Sequence, residues 1–320
     1  MKISVLGPGR WGTFIAWYLN KIGNNVTLWA RNPSEQMEEL MKNHKNEYVT
    51  LPETIKLTYN LESAINDSEY IVISISAQGL RGLAKHISEI ASSKNKKYIL
   101  CMKGIEKGTG SRLSTIMIES GFNKNNIAVW VGPGHIQSFV AGVPSVMIID
   151  SYNEKLSNFL ATSFRSELIR FYQGNDMVGS EIGAAAKNVM GLAAGLLDGM
   201  GYSTLKGGLM ARGSREVSRL IQACGGNPMS AYGLCHLGDY EATLFSEFSH
   251  NRKWGEMFAK DQSFEKLAEG VDTSDALLSL AKKYNVELPI TKTVYDVIHK
   301  NITKQEAIKQ LFARDNLHEF

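Results

Sequence analysis

The pattern of apolar and polar positions splits the chain in two. In the first part, short runs of β-branched and aliphatic residues lie at 2–6, 26–29, 70–75, 98–102, 127–131, 146–149 and 169–172. Segments of helical period at 13–22, 80–90 and 111–119 alternate with them. Such alternation predicts a largely parallel sheet covered on both faces by helices. Past Asn175 and Asp176 the strand signal ends, and helices are predicted around 180–201, 204–224, 254–260, 273–284, 289–299 and 303–312. At 320 residues the chain exceeds the size at which one core keeps growing. Two domains are expected: an α/β domain with a mostly parallel, doubly wound sheet over 1–178, and an all-α domain over 179–320.

The first strand run passes straight into GPGRWG, which sets Gly7, Gly9 and Gly12 at GxGxxG spacing between a strand and a helix. This is the context of a Rossmann-type dinucleotide turn. Gly7 makes the turn, Gly9 admits a pyrophosphate, and Gly12 lets the helix lie on the strand. Free N–H groups at the helix start face the phosphates. Arg10 and Trp11 lie inside the turn and are expected to line the cofactor. The second strand run ends in WARNP. An acid there would hold the ribose 2′-OH of NAD, whereas Arg31 suits the 2′-phosphate of NADP. NADP(H) is therefore favoured, with NAD(H) possible. Ligands of parallel sheets bind beyond the carboxyl ends of strands. Two such ends carry candidate chemistry: CMKGIEKGTG, with Lys103, and VGPGH, with Gly132 and His135. Lys103 is expected to face a substrate phosphate or the nicotinamide pocket, and His135 is read as structural.

The helical part opens with SEIGAAAKNVMGLAAGLLDGMG, apolar nearly all round, as a helix buried on most sides reads. Gly183, Gly191, Gly195 and Gly199 stand at four-residue steps, and Lys187 fills the gap in the series. Each glycine costs a helix roughly 0.5–1 kcal/mol, so another element is expected to pack very close to this face. A lysine buried there pays desolvation, which lowers its pKa and makes it a proton donor and acceptor near neutrality. Lys187 is the candidate catalytic acid/base. Asp198 lies about 16 Å along the same helix, too far to pair with it, and is read as a helix-end acid with a structural partner. Downstream, LGDYEATLFSEFSHNRKWG places Asp239, Thr243, Ser249, His250, Asn251 and Arg252 in a connection between helices. Asp239 is expected to orient the lysine, and Asn251 and Arg252 to hold an anion.

Composition narrows the partners. A net charge of +3 with scattered basic residues argues against nucleic acid and is compatible with a small anion. Three cysteines, Cys101, Cys224 and Cys235, lack disulfide or metal-ligand spacing, so no metal is expected. The chain runs at once into a strand, leaving no room for a signal peptide, and Lys187 and Asp198 interrupt the longest apolar run. A cytoplasmic protein without a membrane span is expected.

Together GPGRWGT, the KG of CMKGIE, the GP of VGPGH, GAAAKN, the RG of MARGSRE, GD, NR and the EG of AEGVDT come in one order. In that combination the chain resembles bacterial NAD(P)-dependent glycerol-3-phosphate dehydrogenase over almost its full length. The resemblance implies a Rossmann domain, an all-helical substrate domain, and interconversion of dihydroxyacetone phosphate and sn-glycerol 3-phosphate, which feeds phospholipid synthesis. It implies Lys187 as acid/base, with Lys103, Gly132, Asn188, Asp239, Thr243, Ser249, His250 and Asn251 lining the substrate and Glu269 contacting the cofactor. A homodimer is expected. The chain departs from the family at three places: His250 replaces an arginine, Gly134 and Ile136 follow GP, and Thr204-Leu205-Lys206 lacks the family's asparagine. A histidine is a pH-dependent phosphate ligand, so either Arg252 or Lys206 compensates or the substrate is another small phosphorylated ketone. A β-hydroxyacid dehydrogenase and a non-catalytic dinucleotide sensor are the remaining alternatives.

Overall fold

In the computed structural model, which describes residues 1–313, the first half alternates strands and helices. These are β1 (Lys2–Leu6), α1 (Arg10–Lys21), β2 (Asn25–Trp29), α2 (Glu35–Asn43), β3 (Lys56–Thr58), α3 (Leu61–Asn66), β4 (Tyr70–Ile73) and α4 (Leu80–Ser88). Then come β5 (Lys97–Leu100), α5 (Leu113–Glu119), β6 (Ile127–Val131), α6 (Ile136–Val140), β7 (Ser145–Ser151), α7 (Glu154–Ser163) and β8 (Ile169–Gln173). The strands form one sheet in the order β3-β2-β1-β4-β5-β6-β7-β8, parallel throughout except for the β6–β7 pair. Ile3, Val5, Val72, Ile99 and Ala128 are fully buried, as expected of strands covered on both faces.

Strand β1 is the switch point of this order. Leu6 pairs with Trp29 on one side and Ile73 on the other, so the chain leaves the sheet where its neighbours diverge. The crevice beyond the strand ends opens there, at Gly7.

Contacts divide the chain into two compact units: 1–104 with 112–181, and 105–111 with the residues from Ile182 on. The division thus falls inside α8 (Met177–Gly199) rather than at 178/179. Within the first unit, Glu181 ties the start of α8 to the start of α5. Its carboxylate accepts from the Ser114 N–H at 2.7 Å and from Arg112 at 2.6 Å. The segment 105–111 groups with the helical unit, where a Cβ on Gly110 would lie 3.0 Å from the Leu280 nitrogen.

The second unit is built on α8, with α9 (Lys206–Ala223), α10 (His250–Ala259), α11 (Glu269–Tyr284), α12 (Pro289–Ile298) and α13 (Lys304–Phe312). Buried Glu216 caps α12 by accepting from the N–H groups of Ile290 and Thr291. Among the described residues no helix is long and apolar enough to cross a membrane.

Candidate active site

In the helical unit, α8 is buried without interruption over 179–196. Its glycine face is filled by backbone and short side chains. A Cβ on Gly183 would meet Cys235 Sγ at 2.9 Å, and one on Gly191 would meet Thr243 and Asn251 at 3.0 and 3.1 Å. One on Gly195 would lie 1.9 Å from the Arg252 carbonyl oxygen, and one on Gly199 2.6 Å from Ala259. The close packing expected from the four-residue steps is therefore present, and the segment 235–259 supplies it.

Lys187 projects from the gap in that series and is 8% exposed. Its Nζ lies 2.7 Å from Asp239 Oδ2 and donates to Thr243 Oγ1 at 2.9 Å. Asp239 is fully buried at the end of a 3₁₀ turn, Leu237–Asp239, and Thr243 sits in a π-helical turn, Glu241–Phe245. Single π turns are frequent at functional sites. Desolvation is not the only force on the amine: the adjacent buried carboxylate favours the ammonium.

Asn188 and Asn251 extend the cluster. Asn251 donates through Nδ2 to Asn188 Oδ1 at 3.1 Å, and its own Oδ1 accepts from the Gly270 N–H at 2.9 Å. Gly270 follows Glu269, the first residue of α11. Ser249 caps α10 by accepting from the Arg252 N–H. His250, Asn251 and Arg252 thus form the first turn of a helix, not a connection between helices. His250 is half-buried, its ring edge-on to Phe264 at 6.0 Å.

Asp198 has the structural partners expected of it, and they correct another expectation. It lies 2.8 Å from Lys206 Nζ and 2.7 Å from Arg252 Nε. Burial alone would raise its carboxyl, but hydrogen bonds from Lys206, Ser203 and Arg252 outweigh that and hold it below the usual carboxylate range. The two cations expected to compensate for His250 are engaged by this acid. Sequence reasoning also passed over His236 and Tyr240, buried on either side of Asp239.

The α/β unit carries the glycine turn. Gly7 has φ +117°, and a Cβ there would lie 2.3 Å from the Ser74 carbonyl oxygen at the end of β4. A Cβ on Gly12 would collide with the Gly7 carbonyl, which is why α1 can lie on β1. Nothing lies within 4 Å of a Cβ on Gly9, and α1 starts there without a side-chain cap. Open space beside uncapped N–H groups is the cradle a pyrophosphate fills. The Gly7 N–H donates to the Trp29 carbonyl at 2.9 Å, which sets the end of β2 beside the turn; exposed Arg31 lies two residues past that strand end. These residues fit a dinucleotide. Arg10 stacks over the Tyr48 ring at 5.2 Å. Lys103 donates to the Gly132 carbonyl at 2.7 Å and lies 5.5 Å from the Trp11 ring centre. Trp11, Lys103 and Gly132 are thus brought together within this unit.

Comparison with known proteins matches both parts. A family model described as NAD-dependent glycerol-3-phosphate dehydrogenase N-terminus covers residues 2–157, and the corresponding C-terminus model covers 176–309. A glycerol-3-phosphate dehydrogenase (NAD(P)+) of Thermoanaerobacter sp. is 35% identical over 329 residues, spanning 100% of this chain and 99% of the relative. One of Fusobacterium nucleatum is 35% identical, covering 98% and 97% of the two chains. The crystal structure of a glycerol-3-phosphate dehydrogenase from Coxiella burnetii is similar at a TM-score of 0.89 and 26% identity, covering 98% of this chain and 99% of the other.

Proposed function

The chain belongs to the NAD-dependent glycerol-3-phosphate dehydrogenase family and is an NAD(P)-dependent oxidoreductase, and on that footing we propose that Lys187 is the acid/base of a reversible reduction of dihydroxyacetone phosphate to sn-glycerol 3-phosphate. The buried Lys187–Asp239 pair carries this reading. When bound, the reduced nicotinamide supplies a hydride to the carbonyl carbon. The Lys187 ammonium gives a proton to the oxygen of the forming alkoxide, and in the reverse direction the neutral amine takes it back. Asp239 and Thr243 hold the ammonium in place.

Lys103 adds positive charge for the developing oxyanion or the substrate phosphate, and Gly132 orients it through its carbonyl. Asn188, Thr243, Ser249, His250 and Asn251 line the substrate, supported by the hydrogen bonds that join Asn188 to Asn251 and by the packing of Thr243 and Asn251 on Gly191. Gly7, Gly9, Arg10, Trp11, Gly12, Arg31 and Glu269 hold the cofactor. Exposed Arg31, with no acid at the strand end, supports NADP(H) over NAD(H).

A cytoplasmic homodimer is the proposed working form. Cysteines without disulfide spacing support the compartment. Lys187→Ala is the test. It is expected to lower NADPH-dependent reduction of dihydroxyacetone phosphate by about 10³-fold while NADPH binding, followed by fluorescence titration, persists. Full turnover by that variant overturns the assignment.

A further inference from the structure

Two buried polar residues bracket Asp239, and the chemistry above leaves both unused. His236, three residues before the carboxylate, is fully buried; its Nδ1 lies 2.9 Å from the Gly183 carbonyl oxygen. Its Nε2 lies 2.6 Å from the hydroxyl of Tyr240, the residue after Asp239, which is fully buried too. A carbonyl only accepts, so Nδ1 carries the ring proton. Nε2 is then the acceptor and Tyr240 the donor. The ring is neutral: burial pulls its pKa down to about 4, Lys187 pushes in the same direction, and the Gly183 bond and Asp239 only partly oppose them.

The anchor points of this pair matter more than its strength. Gly183 lies one turn before Lys187 on α8, on the same side of the helix. A Cβ there would come within 3.1 Å of His236 Cβ, so the ring reaches the carbonyl because the position is glycine. Tyr240 rests on the next helix: a Cβ on Gly213 of α9 would lie 3.2 Å from its hydroxyl. The segment between these anchors is a 3₁₀ turn, and a π turn follows Tyr240; both hold shape less well than an α-helix. Asp239, at the junction, must nevertheless stay within 3 Å of an ammonium.

We propose that His236 and Tyr240 form a neutral hydrogen-bonded clamp that holds the Asp239 carboxylate against Lys187, as positioning residues for proton transfer. The clamp rests on the reading of Lys187 as the acid/base. Its neutrality matters: an imidazolium at this place would compete with Lys187 for the Asp239 carboxylate.

Tyr240→Phe keeps the ring and its packing and removes one O–H. His236→Leu removes both bonds, and His236→Asn restores an N–H for the Gly183 carbonyl. With dihydroxyacetone phosphate and NADPH, kcat is expected to fall roughly tenfold in Tyr240→Phe and further in His236→Leu, with partial recovery in His236→Asn. KM for the ketone and Kd for NADPH are expected to change less than twofold. The deciding arm is an Asp239→Asn background, where Tyr240→Phe is expected to lower Tm as before yet leave kcat unchanged, because there is no carboxylate left to position. Equal kcat losses in both backgrounds, an unchanged kcat in Tyr240→Phe, or an effect confined to KM would each overturn the clamp. Should His236→Leu fail to fold, Tyr240→Phe decides alone. Lys187→Ala, assayed alongside, separates the two readings: an active Lys187→Ala refutes the acid/base role, whereas a failed clamp leaves that variant inactive.

Discussion

The turn at Gly7–Gly12 and the glycine face of α8 place the same residue at two sites, and the space left by the missing side chain is used differently. In the α/β unit the room beside Gly9 is open and lies over uncapped N–H groups. In the helical unit the room beside Gly195 is filled by a carbonyl oxygen of a neighbouring helix. One vacancy stays open; the other is closed by the backbone of a neighbouring helix. A strand before and a bare helix start after mark the first kind, whereas a helical period with one charge inside it marks the second.

The contrast is broken most severely by adding a methyl group to the filled side. Gly195→Ala would set Cβ 1.9 Å from the Arg252 carbonyl, and the two helices must separate. A loss of about 3 kcal/mol is expected, read as a lowered urea midpoint. The same change on the open side should spare the fold. Gly9 has φ −66°, which alanine adopts freely. Gly9→Ala is expected to leave Tm within a degree or so while weakening NADPH binding roughly tenfold, about 1.4 kcal/mol. Loss of stability there would show that the space is structural.

A third effect belongs to the dry side. His236 is held at about pKa 4, below its ordinary 6.5, so between those values the unfolded chain binds the extra proton. The stabilisation is present above pH 6.5 and is lost as pH falls toward 4, at up to about 1.4 kcal/mol per pH unit. Urea titrations at pH 7 and 5 should show that slope, and His236→Asn should flatten it. The smallest effect is expected at the edge of the site. His250→Arg supplies a fixed charge to the first turn of α10 and should lower KM for dihydroxyacetone phosphate about threefold at pH 8, where histidine is neutral. An unchanged KM would remove His250 from the phosphate.

Interior strands could be read almost to the residue. Those at 2–6 and 127–131 match β1 and β6 because strands buried on both faces are unbroken apolar runs. The edge strand β3 is three residues long and half wet, so it carries no comparable pattern. Helix α10 was read four residues late because its apolar period starts at Trp254, although the Ser249 cap marks its true start. The close packing of the α8 face that carries buried Lys187 could be read from the glycine spacing. The partner of Lys187, Thr243, is 56 residues away, and that meeting depends on how the 3₁₀ and π turns fold back over α8. Neither turn has a sequence period. The His236–Tyr240 pair stands at i, i+4 inside that stretch, where the spacing gives no signal without a predicted helix. Which base Asp198 would take was equally hidden, since charge alone ranks Lys206 and Arg252 alike.

The steps along α8 also index its partner. A helix docked into a row of notches four residues apart cannot creep by one residue, because each notch would then meet a methyl or larger group. The next fit along the row is four residues away, about 6 Å. Thermal sliding of the two rods is thereby reduced to a choice between seated and unseated. The amine is kept on station by the pitch of the notches, much as a key blank is held by its cuts.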